Sequence, residues 1–199
     1  MSIMEISDRF YGRIEKEDLH FDVGEVASRL KIPREYTHSA IEKCKNILLD
    51  AVDCKYCGVK VSLSCQNNII NICGLSLESS DLARNLGNAE ECFVFAVTLG
   101  SSVDRLLKKY EVLSPSEHYI LDALASALAE NAADKAESII KGNTECRPRF
   151  SPGYGDLSIE NQKGILSLLD GGRRLGITLS SSYLMTPQKS ITAIMGIKR

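Results

Sequence analysis

The apolar positions of this chain change period several times, and each change marks an element. Residues 1–30 are mixed, with Val23 to Leu30 readable as a short helix capped by Asp22. From Pro33 to about Val52 the apolar positions Tyr36, Ala40, Ile41, Ile47, Leu48 and Ala51 recur at roughly helical spacing, with Pro33 in the first turn. Gly58 to Leu63 alternates at period two, and Asn68 to Cys73 is apolar and β-branched. Ser64-Cys-Gln-Asn67 between them reads as a hairpin loop. Ser79 or Ser80 caps a short helix that stops at Gly87. Cys92 to Thr98 is apolar on both faces, the mark of a strand buried from both sides. Gly100-Ser-Ser then leads into an amphipathic helix carrying Val103, Leu106, Leu107 and Tyr110. Strand, glycine turn and helix together form one half of an α/β unit.

Ser114-Pro115-Ser116-Glu117 is the clearest helix start, with a serine cap, proline at the first helical position and glutamate at the third. The helix predicted from it runs to about Lys141 and ends at Gly142. Its many alanines, Ala123 through Ala136, permit close packing on other backbones. Glu130 interrupts them, and a carboxylate there either faces solvent or meets a partner. Periodicity does not decide which. Ser158 to Leu169 reads as a further helix, weakened by Gly164 and interrupted by Gly171-Gly172. Leu175 to Leu179 and Ser190 to Ile194 read as strands. No repeat, low-complexity tract or linker divides the chain, so it reads as one domain, 1–199. Within it, 1–90 holds N-terminal helices and a hairpin, and 91–199 carries the candidate ligand motif.

Between the long helix and the next one lies Arg149-Phe-Ser-Pro-Gly-Tyr154. Pro152 fixes one torsion and Gly153 permits conformations closed to other residues. Arg149 brings a planar charged fork suited to a carboxylate or phosphate, and Tyr154 an aromatic face with a polar tip. An ordinary Pro-Gly turn between helices has the same local sequence.

Composition narrows the function classes. The chain has 199 residues, 44% of them hydrophobic, enough for a sizeable core. The net charge of -2 argues against a broad nucleic-acid surface. No apolar run approaches the ~20 residues that span a bilayer, and no signal peptide is evident. Seven cysteines in an otherwise ordinary composition fit reduced thiols, and so a cytoplasmic setting.

Other motifs are incomplete. Cys54-Lys-Tyr-Cys57 has redox or metal spacing, but no second pair or histidine pair completes a zinc set. Asp18-Leu-His20 with Gly24 is similar to the ligand motif of cobalamin-binding modules, yet the glycine falls one residue late. It reads as a surface acid near a histidine. His38 and His118 have no nucleophile nearby in sequence. Thr98-Leu-Gly-Ser-Ser102 could cradle a phosphate, but its single glycine is no dinucleotide or phosphate-loop fingerprint.

Three segments, in order, resemble the reactivation (activation) domain of cobalamin-dependent methionine synthase. They are Asp122 to Glu130, Arg149 to Tyr154 with its following helix, and Leu175 to Thr192 with its serine-rich stretch and Met-Thr-Pro. Phe93 to Gly100 fits as well. The resemblance covers roughly the last hundred residues. It implies an α/β fold: a mixed, curved sheet of about five strands, with the long alanine-rich helix beside it and flanking helices. It also implies a shallow S-adenosylmethionine site. Glu130 would take the ligand's amino group and Arg149 its carboxylate. Ser151, Gly153 and Tyr154 would line the adenosyl portion. Arg147-Pro148 offers a second register, but spacing to Gly153-Tyr154 favours Arg149.

In that family the domain caps a cobalamin module whose cobalt has been oxidised. An electron from flavodoxin or a similar donor and a methyl group from S-adenosylmethionine restore methylcobalamin. The expectation is therefore an accessory protein acting in trans on a methionine synthase or other corrinoid protein, with cobalamin held only by that partner. No nucleic-acid or membrane partner is implied. No residue reads as a general base, so none is assigned as catalytic, and no metal ligands are assigned. Two alternatives stand beside this. One is a non-catalytic corrinoid-protein partner or chaperone that has lost the ligand, motivated by the short C-terminus. The other is a cysteine-based metal or redox protein.

Overall fold

The computed structural model describes residues 6–20, 26 and 34–198. The expected helix from Val23 to Leu30, its cap at Asp22, Gly24 and Pro33 lie outside the described residues, save Val26, as does the His38 side chain. In chain order the elements begin with β1 (Ile6–Arg13), a 3-10 turn (Lys16–Asp18), α1 (Arg34–Ala51), β2 (Lys55–Gln66), β3 (Ile69–Ile72), β4 (Leu75–Glu78) and α2 (Ser80–Leu86). The second half holds β5 (Glu91–Thr98), α3 (Ser101–Leu113), α4 (Pro115–Lys141), a 3-10 turn (Ile159–Asn161), α5 (Gln162–Leu169), α6 (Gly171–Leu175), β6 (Thr178–Leu179), β7 (Met185–Thr186) and β8 (Ser190–Gly196).

The architecture is α/β. Five strands follow one another in the order β4-β3-β2-β5-β8, and β1 adds to β2. Every pairing is antiparallel. The twelve-residue β2 explains the sheet's shape. Its first part lies between β1 and β5, and its last four residues pair with β3. The half unit read from β5 and α3 is not completed by a parallel strand, because the chain returns as β8 antiparallel to β5.

β5 is buried on both faces, as its unbroken apolar run requires. On one face Phe93, Phe95 and Val97 meet Leu121, Leu124, Leu128 and Ala132 of α4, with α1 and α3 completing that layer. On the other, Val94 and Ala96 join Val59 and Val61 of β2 against Leu82 and Leu86 of α2 and Ile165 and Leu169 of α5. Each buried Phe, Leu, Ile or Val side chain here contributes roughly 1.5–3 kcal/mol. Gly58 lets α4 rest directly on the sheet. A Cβ there would lie 2.9 Å from Ile140 Cδ1 and 3.2 Å from Phe95 Cβ.

Several elements depart from the sequence reading. The Ser114 hydroxyl makes no cap bond to the α4 amides. Glu117 reaches across to Lys43 of α1 instead, at 2.6 Å. The expected helix from Ser158 starts as a 3-10 turn and becomes α-helical only at Gln162. Gly164 does not weaken the packing there; its missing side chain admits Leu75 of β4. Gly171-Gly172 opens a helix rather than breaking one. Asp170 turns left-handed (φ 55°) and the chain restarts as α6, so the expected strand from Leu175 shrinks to Thr178–Leu179. Among the described residues no helix is long and apolar enough to cross a membrane.

Candidate functional site

The site grows from the exposed flank of α4. Its buried face is leucine and alanine, and Glu130, Asp134 and Glu137 follow at helical spacing. Past α4 the chain runs back along β8. Phe150 N–H donates to the Ile194 carbonyl and Ile194 N–H to the Phe150 carbonyl, both at 2.9 Å. Arg147 N–H donates to the Gly196 carbonyl at 2.8 Å. This pins residues 147–150 between β8 and α4.

Arg149 consequently points at the acidic flank. Its Nη2 donates to Glu130 Oε2 at 2.8 Å. Its Nη1 bonds Asp134 Oδ1 and lies 3.3 Å from Glu137 Oε2. Burial alone would lower the Arg149 pKa; hydrogen bonds and charge from Asp134 and Glu130 outweigh it and raise the pKa. Lys141 also pairs with Glu137, at 2.9 Å. Three carboxylates here face two cations, leaving a surplus of negative charge. The Arg147 guanidinium lies against Gly87 instead, so Arg149 is the arginine that reaches the acids.

The turn that follows is locked from below. Gly153 (φ +91°) donates its N–H to the Leu157 carbonyl at 2.8 Å. Asp156 caps α2: its carboxylate accepts from the Ser79 hydroxyl, from Ser80 N–H at 2.8 Å and from Asp81 N–H at 3.1 Å. The Ser80 hydroxyl adds a bond at 2.6 Å. The hydroxyls of Ser79 and Ser80, foremost, hold the Asp156 pKa well below the usual carboxylate range. Gly155 (φ +53°) fits because a side chain there would strike Asp81.

Between this turn, α4, α5 and β8 lies a cavity of about 470 Å³. Glu130, Arg149, Ser151 and Tyr154 line it, so four of the five residues named from sequence meet at one place. Gly153 does not line it; its amide is taken by Leu157, and its part is to shape the turn. Tyr154 stands at the rim, 65% exposed. Sequence reasoning missed Gln162 and Met185 as lining residues, and Asp134 and Glu137 as partners of Arg149. Buried Gln162 accepts from the Thr192 hydroxyl at the cavity wall. The Ser190 hydroxyl turns inward to Thr98 at 2.8 Å.

The cysteine pair is a different matter. Cys54 belongs to the α4-side core and Cys57 to the opposite one, as the side-chain alternation near the start of β2 dictates. Burial pushes the Cys54 thiol up to about 12 and the Cys57 thiol to about 11. Both remain protonated near neutrality, unsuited to thiolate chemistry. His118 is engaged with the Leu107 carbonyl at 3.0 Å, and His20 is exposed beside α4, its amide on Asn131.

Fold and cavity together are those of an α/β domain with a polar, charge-paired cavity beside its long helix. No family model and no curated protein matches the chain. Among solved structures it is similar to the MetH reactivation domain bound to AdoHcy, with a TM-score of 0.67 over 98% of this chain and 79% of that one, at 15% identity. The chain has the MetH reactivation domain fold.

Proposed function

We propose that the chain binds S-adenosylmethionine in the cavity beside Arg149 and supports the reductive reactivation of a cobalamin-dependent methionine synthase, acting in trans. The observation that carries this reading is the Glu130–Arg149 ion pair at the mouth of a cavity of about 470 Å³. An amino-acid zwitterion can enter such a pair without changing its net charge, exchanging one salt bridge for two. Arg149 takes the carboxylate through Nη2, while Asp134 and Glu137 keep hold of Nη1. Glu130, released, takes the ammonium. Ser151 and Tyr154 are left for the nucleoside. The surplus carboxylate suits a ligand that also bears a sulfonium. The AdoHcy bound to the structural neighbour supports the ligand class.

When bound, S-adenosylmethionine supplies an electrophilic methyl group, which this chain would position. Cobalamin would come with the corrinoid partner, and the electron from flavodoxin or another donor. Calorimetric titration with S-adenosylmethionine tests the first step. Saturable binding that collapses in Arg149→Ala supports it, and no heat at millimolar ligand rejects it.

One observation favours a second reading, a corrinoid-protein partner without a ligand of its own: Arg149 already contacts three carboxylates of this chain. Co-purification with a corrinoid protein, together with no ligand heat, would select it.

A further inference from the structure

A second cavity, of about 570 Å³, opens at the opposite edge of the sheet, between β1, the start of β2 and α6. β2 and β5 separate it from β8 and the first cavity. Alternation along β1 sets Tyr11 and Arg13 on one face, and strand register places Lys55 opposite Arg13. α6 brings Arg173 and Arg174 to the same opening. The Tyr56 ring covers Gly12, where a Cβ would come within 2.9 Å of its hydroxyl oxygen.

The charges do not balance. Asp53 is shared between Arg13 at 2.9 Å and Lys55 at 2.7 Å. Asp170 holds Arg173 at 2.6 Å. Among the described residues no carboxylate pairs with Arg174, whose guanidinium lies 5.1 Å from the centre of the Tyr11 ring. Four cations therefore face two carboxylates in a concave site of small-molecule size. Three guanidinium forks and an ammonium suit the tetrahedral oxygens of a phosphoryl group, and its double charge matches the surplus. Tyr11, 70% exposed, has room to turn its hydroxyl towards the same group.

We infer that this cavity binds the phosphate of a small-molecule phosphate ester, independently of the first site. Glycerol 3-phosphate is the probe, with glycerol as the uncharged control and phosphatidic acid vesicles as the lipid arm. Amide shifts of the full chain are followed by NMR at low salt. Saturable shifts at Tyr11, Gly12 and Arg174 in the millimolar range are expected with the ester and absent with glycerol. Arg174→Ala weakens binding roughly ten-fold, the scale of a lost charge-assisted hydrogen bond, and Lys108→Ala on α3 leaves it unchanged. Asp53→Asn releases Arg13 and Lys55 and tightens it. No saturation, equal weakening by Lys108→Ala, or a response to vesicles alone would overturn the inference.

Discussion

Arg149 Nη2 and Glu130 Oε2 stand 2.8 Å apart although nineteen residues separate them along the chain. The contact exists because two unrelated constraints converge. The alanine face of α4 is drawn onto the sheet, which leaves Glu130 on the outer flank. The backbone bridge from Phe150 to Ile194 aims the preceding side chain at that flank. The proposed binding chemistry depends on this pair opening to admit an amino acid.

Arg149→Ala should lower S-adenosylmethionine affinity by roughly ten-fold or more, because a charge-assisted bond to the ligand carboxylate is lost. Arg149→Lys should recover little, since an ammonium cannot replace the fork. 5′-Methylthioadenosine, which lacks the amino-acid end, should bind wild type and Arg149→Ala alike. Calorimetry with both ligands reads the split; equal losses would mean the arginine acts only through folding.

The carboxylate surplus around Arg149 should make S-adenosylmethionine bind a few-fold better than S-adenosylhomocysteine at low ionic strength. These acids are partly exposed, so the preference should shrink as salt is raised. Paired titrations across a salt series check this, and a preference insensitive to salt would contradict it.

Asp156 fastens the turn that follows Arg149 to the start of α2. Its folded pKa lies below its ordinary value of 3.8, so its stabilising contribution is complete above that value. The contribution is lost as pH falls below 3.8 towards the depressed pKa. Asp156→Asn should therefore lower the melting temperature at pH 7, and the gap to wild type should narrow steadily below pH 4. Thermal melts followed by circular dichroism measure it.

Gly58→Val places methyl groups where Ile140, Phe95 and the Val94 carbonyl already sit. Overpacking of this kind costs about 1–3 kcal/mol. Urea denaturation should show that loss with an unchanged slope.

Thiol titration tests the cysteines. Cys65 is exposed and should react at once with a thiol reagent near pH 8, whereas buried Cys44, Cys54, Cys57 and Cys92 should react only on unfolding. Fast reaction of Cys54 or Cys57 in the folded protein would reopen a redox role for that pair.

Much of this architecture is legible in the residues. The α4 boundaries, the Ser79 and Gly87 limits of α2 and the double-sided burial of β5 follow from caps and apolar runs. β1 escapes notice because it is a polar edge strand whose one clear anchor, Phe10, packs edge-on against Phe93 at 6.0 Å. β4 is four residues long and alternates only once. Whether Glu130 faces solvent or a partner has no single answer: its side chain is 56% exposed and is also paired. Asp134 and Glu137 carried a signal, acids at i, i+4 and i+7 on an alanine helix, but their shared partner could be found only once the return path along β8 was known. The basic cavity gathers residues from three distant segments, and no local motif announces it.

The most direct test is a crystal structure with S-adenosylmethionine. The amino-acid end should lie between Glu130 and Arg149, with the two parted and Asp134 still bonded to Nη1. A complex in which the Glu130–Arg149 pair stays closed and the ligand sits elsewhere would contradict the proposed site.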